Sequence, residues 1–208
     1  MEFEYTQEII RRMQLVELDM LKEVDRICKE NNITYILDAG TLLGAYRHKG
    51  FIPWDDDVDI RMLRSEYEKF CEVCKTKLNT DKYFLQNHKT DSGYRWGYAR
   101  LLRNRTSFQR AGQDMLTMRR GIFIDIFPCD ALPDGKIAKK IYNAKCWIAR
   151  KMLYSEVALG NYKPGMKKFG FWILNLFPKE KAFKIFEKTP SNTKDISITI
   201  ISHSSLIL

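Results

Sequence analysis

Four aspartates, Asp55, Asp56, Asp57 and Asp59, fall within five positions of the segment GTLLGAYRHKGFIPWDDDVDI, residues 40–60. Like charges repel, so such a group needs solvent or a cation among its members. The run DVDIRM alternates polar and apolar residues, the pattern of a half-buried strand. Side chains on a strand alternate between faces, so Asp57 and Asp59 point one way and Val58 and Ile60 the other. Asp55 falls in the same phase as Asp57, while Asp56 is expected to face away and be dispensable. Two residues apart on a strand is about 6.5 Å between Cα atoms, close enough for two carboxylates to lean on one divalent ion. Hard oxygen ligands suit Mg²⁺ or Mn²⁺. Asp125 repeats the logic in GIFIDIFP, between Ile124 and Ile126. A carboxylate in an apolar strand needs a partner. If that strand pairs beside Asp57 and Asp59, three carboxylates converge as in metal-assisted phosphoryl chemistry. One of them can also take a proton from an attacking hydroxyl. Taken alone, the run also reads as a solvated acidic turn.

Gly40-Thr41 supplies a second half. ITYILDAG reads as a strand ending at Gly40, and TLLGAYRH as a short helix. The free N–H groups at a helix start bind phosphate, Gly40 allows close approach, and Thr41 adds a hydroxyl. A plain helix cap is the alternative.

These residues need elements to hold them. Ile10, Met13, Val16, Met20, Leu21, Val24, Ile27 and Cys28 recur at three- and four-residue spacing, predicting a helix over 7–31 with Thr6 as its cap. Ser65 is expected to cap a helix over SEYEKFCEVCKTKL. YFLQN, YRWGYARLLR and GIFIDIF read as strands, and two helices are expected at about 136–159 and 166–187, joined by GNYKPG. The order lacks regular β-α alternation and shows no repeat. It predicts an α+β fold, a small mixed sheet flanked by helices with a helical C-terminal part. The expected division is a catalytic domain over 1–135, a basic helical region over 136–190, and an atypical tail over 191–208.

The conjunction resembles the nucleotidyltransferase superfamily: a Gly-Ser-like pair, Asp-x-Asp on the next strand, and a third acid later. YILDAGTLLGAYRHKGFIPWDDDVDI, YARLLRNRTS and GIFIDIFPCDALP resemble the LicD family, phosphotransferases related to the fukutin-type enzymes, over about residues 8–135. The resemblance implies a nucleotidyltransferase-like fold, Mg²⁺ dependence, and transfer of a phosphoalcohol, often phosphocholine, from a CDP-linked donor such as CDP-choline to a glycan hydroxyl. Acceptors of the lipopolysaccharide, teichoic acid or capsule type are implied, some of them lipid-linked. Carried over by position, Asp57, Asp59 and Asp125 are the catalytic metal ligands and Asp55 a helper. Gly40 and Thr41 hold the donor's diphosphate. Arg100 pairs with a phosphate or is a surface arginine; Arg103, Arg105 and His48 are weaker candidates. Trp54 is expected in the core, with stacking on a base or choline as the alternative. The family pattern continues past the end of this chain, so the tail is expected to be a truncated or altered end.

Charge and cysteines narrow the classes. The net charge is +9, and residues 136–188 carry thirteen Lys and Arg against three Glu, leaving the rest near −1. That suggests an anionic partner. MKKFGFWILNLFPKEKAFKIF combines lysines with aromatic and apolar residues, which fits either a membrane interface or core packing. Nucleic acid is disfavoured because no interleaved base-stacking motif is present. Five scattered cysteines give no disulfide framework, and Cys71 and Cys74 are expected to be buried helical thiols. No apolar run is long enough for a membrane span. With no basic and apolar leader, a cytoplasmic location is expected, with peripheral contact at the inner membrane face. Two other functions remain open at this point: an NTP-dependent nucleotidyltransferase acting on a small substrate, and a non-catalytic binding module.

Overall fold

Thr6 starts the first helix. Its hydroxyl accepts from the Ile9 N–H at 3.3 Å, and α1 (Gln7–Glu30) follows. The computed structural model describes residues 6–187. The remaining elements are β1 (Ile36–Leu37), α2 (Ala39–His48), β2 (Asp59–Leu63), α3 (Arg64–Lys77), β3 (Tyr83–Gln86), β4 (Ala99–Arg103), β5 (Phe123–Cys129), α4 (Lys136–Asn161), α5 (Met166–Asn175) and α6 (Lys179–Glu187). The fold is α+β, with one five-stranded mixed sheet in the order β1-β2-β5-β4-β3. Only the β2–β5 pair is parallel.

The pleat sorts the sheet's two faces. Val58, Ile60, Met62, Leu101, Ile124 and Ile126 point to one side and are buried against α1 and α3 with Met20, Val24, Ile27 and Phe70. At about 25 cal/mol per Å² of apolar surface removed from water, this is the main source of stability. The opposite face carries Asp59, Arg100 and Asp125. A second, smaller apolar cluster joins α4 and α6 through Ala149, Met152, Leu153, Ala182 and Phe183.

Several boundaries differ from expectation. Ser65 lies inside α3; Leu63 stands at the cap with no side-chain bond, because β2 runs directly into the helix. The strand read over YRWGYARLLR shortens to Ala99–Arg103. Upstream of it the chain passes so close to α6 that a Cβ on Gly97 would lie 3.2 Å from the Phe186 ring. The helix expected over 166–187 divides into α5 and α6 around Pro178, which cannot donate to a preceding turn. Leu37 ends β1 early, α2 begins at Ala39 rather than Thr41, and β2 begins at Asp59 rather than Asp57. All five cysteines are unpaired, and burial pushes the Cys71 thiol up to about 11. The expected tail over 191–208 lies outside the described residues.

Candidate active site

Sheet register assembles the carboxylates. Asp59 and Asp125 are direct partners on β2 and β5, and Arg100 on β4 is the partner of Asp125 from the other side. The Asp125 N–H donates to the Val58 carbonyl at 2.9 Å, which extends the β2–β5 pairing toward Asp57. Asp125 is buried, and Arg100 Nε donates to its Oδ1 at 2.7 Å. The Arg100 guanidinium also lies 3.9 Å from the centroid of the Phe123 ring. Removing one member of so buried a pair leaves an unpaired charge, at a cost of about 3–5 kcal/mol. Arg100 is thus committed first to Asp125.

Asp55, Asp56 and Asp57 form a tighter group, with one carboxylate oxygen from each within 4.8 Å of the others. Asp56 is exposed, yet its carboxylate belongs to this group. Burial raises the carboxyl of Asp55, and Asp57 and Asp56 raise it further. Burial also pushes Asp59 up to about 7, with Asp57, Asp125 and Asp38 adding to the rise and Arg110 opposing it. These groups resist bearing full charge together, which is the condition a divalent cation relieves. The oxygen-only donor set suits Mg²⁺ or Mn²⁺.

α2 approaches the same point from the β1 side. The Thr41 hydroxyl accepts from the Asp59 N–H at 2.9 Å, and the Asp38 N–H donates to the Asp59 carbonyl at 2.9 Å. A Cβ on Gly40 would lie 2.5 Å from Asp55 Oδ2, so only glycine leaves Asp55 in place. A Cβ on Gly44 would meet the Gly50 carbonyl at 2.6 Å, so the helix can press against the loop that leads to the aspartates. Gly40, Thr41 and Asp55 therefore meet at one spot.

Three contributors escaped the sequence reading. Arg110 Nη2 donates to Asp57 Oδ2 at 2.9 Å. Its loop has no periodicity, and nothing in the sequence marks it. Gln14 Nε2 donates to the carbonyls of Ile52 at 3.1 Å and Asp55 at 3.0 Å, so α1 holds the acidic loop from beneath. Glu17, one turn along, is 1% exposed, and its Oε2 has no hydrogen-bond partner. Both polar residues occupy the apolar stripe of α1, and that was the available signal. The weaker candidates lie elsewhere: Arg103 pairs with Asp19 at 2.8 Å, and Arg105 and His48 are exposed. Trp54, expected in the core, is 69% exposed, with the His48 ring edge-on at 6.4 Å. The turn at Pro53 carries it outward, away from either core.

A mixed sheet with paired acids on adjacent strands, beside a Gly-Thr helix start, defines a protein of the nucleotidyltransferase type. Residues 32–158 match the family model described as "LicD/FKTN/FKRP, nucleotidyltransferase domain", and the chain belongs to this family. It is 36% identical over 127 residues to the lipopolysaccharide cholinephosphotransferase LicD of Haemophilus influenzae, covering 60% of this chain and 46% of that protein. It is also 41% identical over 54 residues to an uncharacterized protein of Rickettsia typhi, covering 26% of this chain and 18% of that one. The chain spans less than half the length of these curated relatives.

Proposed function

We propose that the chain carries the catalytic centre of a phosphoalcohol transferase, moving a phosphocholine-type group from a CDP-linked alcohol to a hydroxyl of a cell-surface glycan. The observation that supports this reading most is the Asp55–Asp57 carboxylate group beside the first turn of α2, with the Asp59 and Asp125 pair on the adjoining strands. The name of the Haemophilus relative, a lipopolysaccharide cholinephosphotransferase, supports the choice of group and acceptor. Asp57, Asp59 and Asp125, with Asp55, are the residues that would hold Mg²⁺ or Mn²⁺. A bound cation there would neutralise charge on the diphosphate.

The chain's own groups do the rest. Gly40 lets the diphosphate approach the α2 backbone. The Thr41 oxygen accepts from Asp59, so its own proton remains to donate to a phosphate oxygen. Arg110 adds positive charge at the rim. Arg100 fixes Asp125 in one orientation. Asp59 receives the proton of the incoming hydroxyl. The hydroxyl oxygen bonds to the phosphorus of the phosphoalcohol, the bridging P–O bond breaks, and CMP leaves with the electron pair. Residues 136–187, the basic helical part, face the acceptor.

The test is release of CMP from CDP-choline in the presence of Mg²⁺ and a glycan acceptor. Asp57→Asn is expected to abolish it, and Asp59→Asn to slow it by about 10²–10⁴-fold, the scale of a lost general base. Full turnover in the Asp57→Asn variant would sink the assignment. An NTP preferred over CDP-alcohols would make the chain a nucleotidyltransferase instead.

A further inference from the structure

Between the carboxylate-bearing sheet face and α4 lies a cleft of about 690 Å³. That volume is within the range of small-molecule sites, about 300–1,000 Å³. Its floor continues the catalytic face. Phe127 lies two residues beyond Asp125, and Tyr98 two before Arg100. The two rings are 4.5 Å apart, and the Tyr98 hydroxyl accepts from Arg100 Nη2 at 3.4 Å. The opposite wall is a stripe of α4 at helical spacing: Trp147, Arg150, Lys151 and Tyr154. Trp147 is 57% and Tyr154 40% exposed.

The other basic residues of the cleft are committed. Arg64 makes two bonds to Asp130, both 2.6 Å. Arg95 pairs with Glu156 at 3.0 Å and donates to the Leu153 carbonyl. Among the described residues Lys151 meets only rings, those of Trp147 and Phe171. Arg150 is exposed and has no carboxylate partner among the described residues. The cleft thus offers two cations and several aromatic faces to a ligand.

Topology says from which side that ligand comes. The α2 start reaches Asp59 from the β1 side, whereas the cleft opens on the β5–β4 side. Attacking and leaving oxygens in phosphoryl transfer lie roughly in line through phosphorus. A donor diphosphate at Gly40 and Thr41 leaves the opposite flank to the attacking hydroxyl. Aromatic faces suit the C–H faces of sugar rings, and guanidinium and ammonium groups suit phosphate.

We infer that this cleft seats the acceptor, as an oligosaccharide bearing phosphate groups, with Trp147 and Tyr154 stacking on sugar rings and Arg150 and Lys151 pairing with the phosphates. The inference rests on the transfer reaction proposed above. The probe is deacylated lipopolysaccharide core oligosaccharide, intact and after hydrofluoric acid removal of phosphate, titrated calorimetrically. Wild type is expected to bind the intact form more tightly. Arg150→Glu/Lys151→Glu and, separately, Trp147→Ala are expected to weaken binding about tenfold or more, the scale of one charge-assisted hydrogen bond. Affinity for CDP-choline should stay within about twofold in both variants. These side chains are exposed or ring-packed at the cleft, and unchanged circular dichroism confirms folding. Absent binding by wild type, or oligosaccharide affinity untouched by either variant, overturns the inference. So does a loss that falls on CDP-choline instead, which would make the cleft the donor's seat. CMP release, measured separately, judges the reaction itself: wild type that binds oligosaccharide through the cleft but releases no CMP sinks the reaction and not the seat.

Discussion

Glu17 and Gln14 sit on the face of α1 that apolar spacing reserves for the core, and each serves the acidic loop above it. Gln14 holds the loop's backbone. Glu17 is pushed up to about 9, first by burial and then by Asp57, Asp56 and Asp55, with Arg110 opposing. It therefore carries its proton at neutral pH. The sign follows from linkage. The folded state holds the proton more tightly than the unfolded chain, whose value is about 4.5, so this contribution is complete below that pH and is lost as pH rises toward 9. Urea unfolding in EDTA at pH 5, 7 and 9 is expected to show wild-type stability falling across that window. Glu17→Gln, which stays neutral throughout, should lose that part of the slope. An equal slope in both would show that Glu17 is charged when folded. At this scale the sequence was uneven. Alternation set Asp59 opposite Ile60, but Asp57 lies before β2 and pairs with Arg110, and Gly40 lies inside the first turn of α2, where it is the Asp55 carboxylate that leaves no room for a Cβ. Arg110 could not be read, because a loop residue's partner is set by a fold that joins positions 53 apart in the chain.

Elements were more legible than their pairings. Local patterns marked the elements except the break that divides α5 from α6, while the placing of β5 between β2 and β4 is a long-range outcome that no local pattern encodes. Boundaries failed where tertiary contact overrode propensity, as at Gly97 beneath Phe186. α6 shows how such contact is held. His88, just after β3, stacks on Phe183 at 4.2 Å, and its Nε2 lies 3.1 Å from Glu187 Oε1. Burial lowers the His88 imidazole from its usual value near 6.5; Glu187 opposes this and Lys89 adds to it. The undocked ring therefore takes a proton before the docked one, and docking weakens as pH falls below about 6.5. Glu187 is held below its ordinary value by Lys89 and His88 against the opposing effect of burial, so its protonation at still lower pH acts in the same direction. Hydrogen exchange of the α6 amides, corrected for intrinsic rates, is expected to speed up between pH 7.5 and 5.5. His88→Phe should keep the ring stacking and remove most of the change. Protection in wild type that does not vary with pH would show that the ring stays neutral, or that α6 is held by its apolar contacts alone.

Over the whole molecule, charge and apolar surface are distributed unequally. The chain's net +9 is concentrated in the C-terminal third, and there the two readings of MKKFGFWILNLF diverge. Core packing would bury this helix, yet none of the residues of α5 is buried. Phe169 is 61% and Trp172 50% exposed, stacked on each other at 5.7 Å, with Leu176 and Phe177 exposed beyond them. Lys163, Lys167, Lys168 and Lys179 lie within a few residues of these rings. Among the described residues no helix is long and apolar enough to cross a membrane, so insertion as a span is not available to them. An amphipathic basic helix of this kind lies in the interface, where aromatic burial and attraction to anionic lipid add. We therefore propose peripheral contact through α5, which would bring the cleft beside it to a lipid-linked glycan. In flotation assays the protein is expected to rise with vesicles containing phosphatidylglycerol and to stay behind with purely zwitterionic ones. Phe169→Glu/Trp172→Glu should abolish flotation, and raising the salt above physiological strength should reduce it, since the Debye length then falls below about 8 Å. Calorimetric oligosaccharide binding, made without lipid, should be unaffected by that variant. Flotation that ignores both lipid charge and the α5 substitutions would place the membrane contact elsewhere. No flotation at all, with self-association that the double variant removes, would make this face an interface with a second copy of the chain.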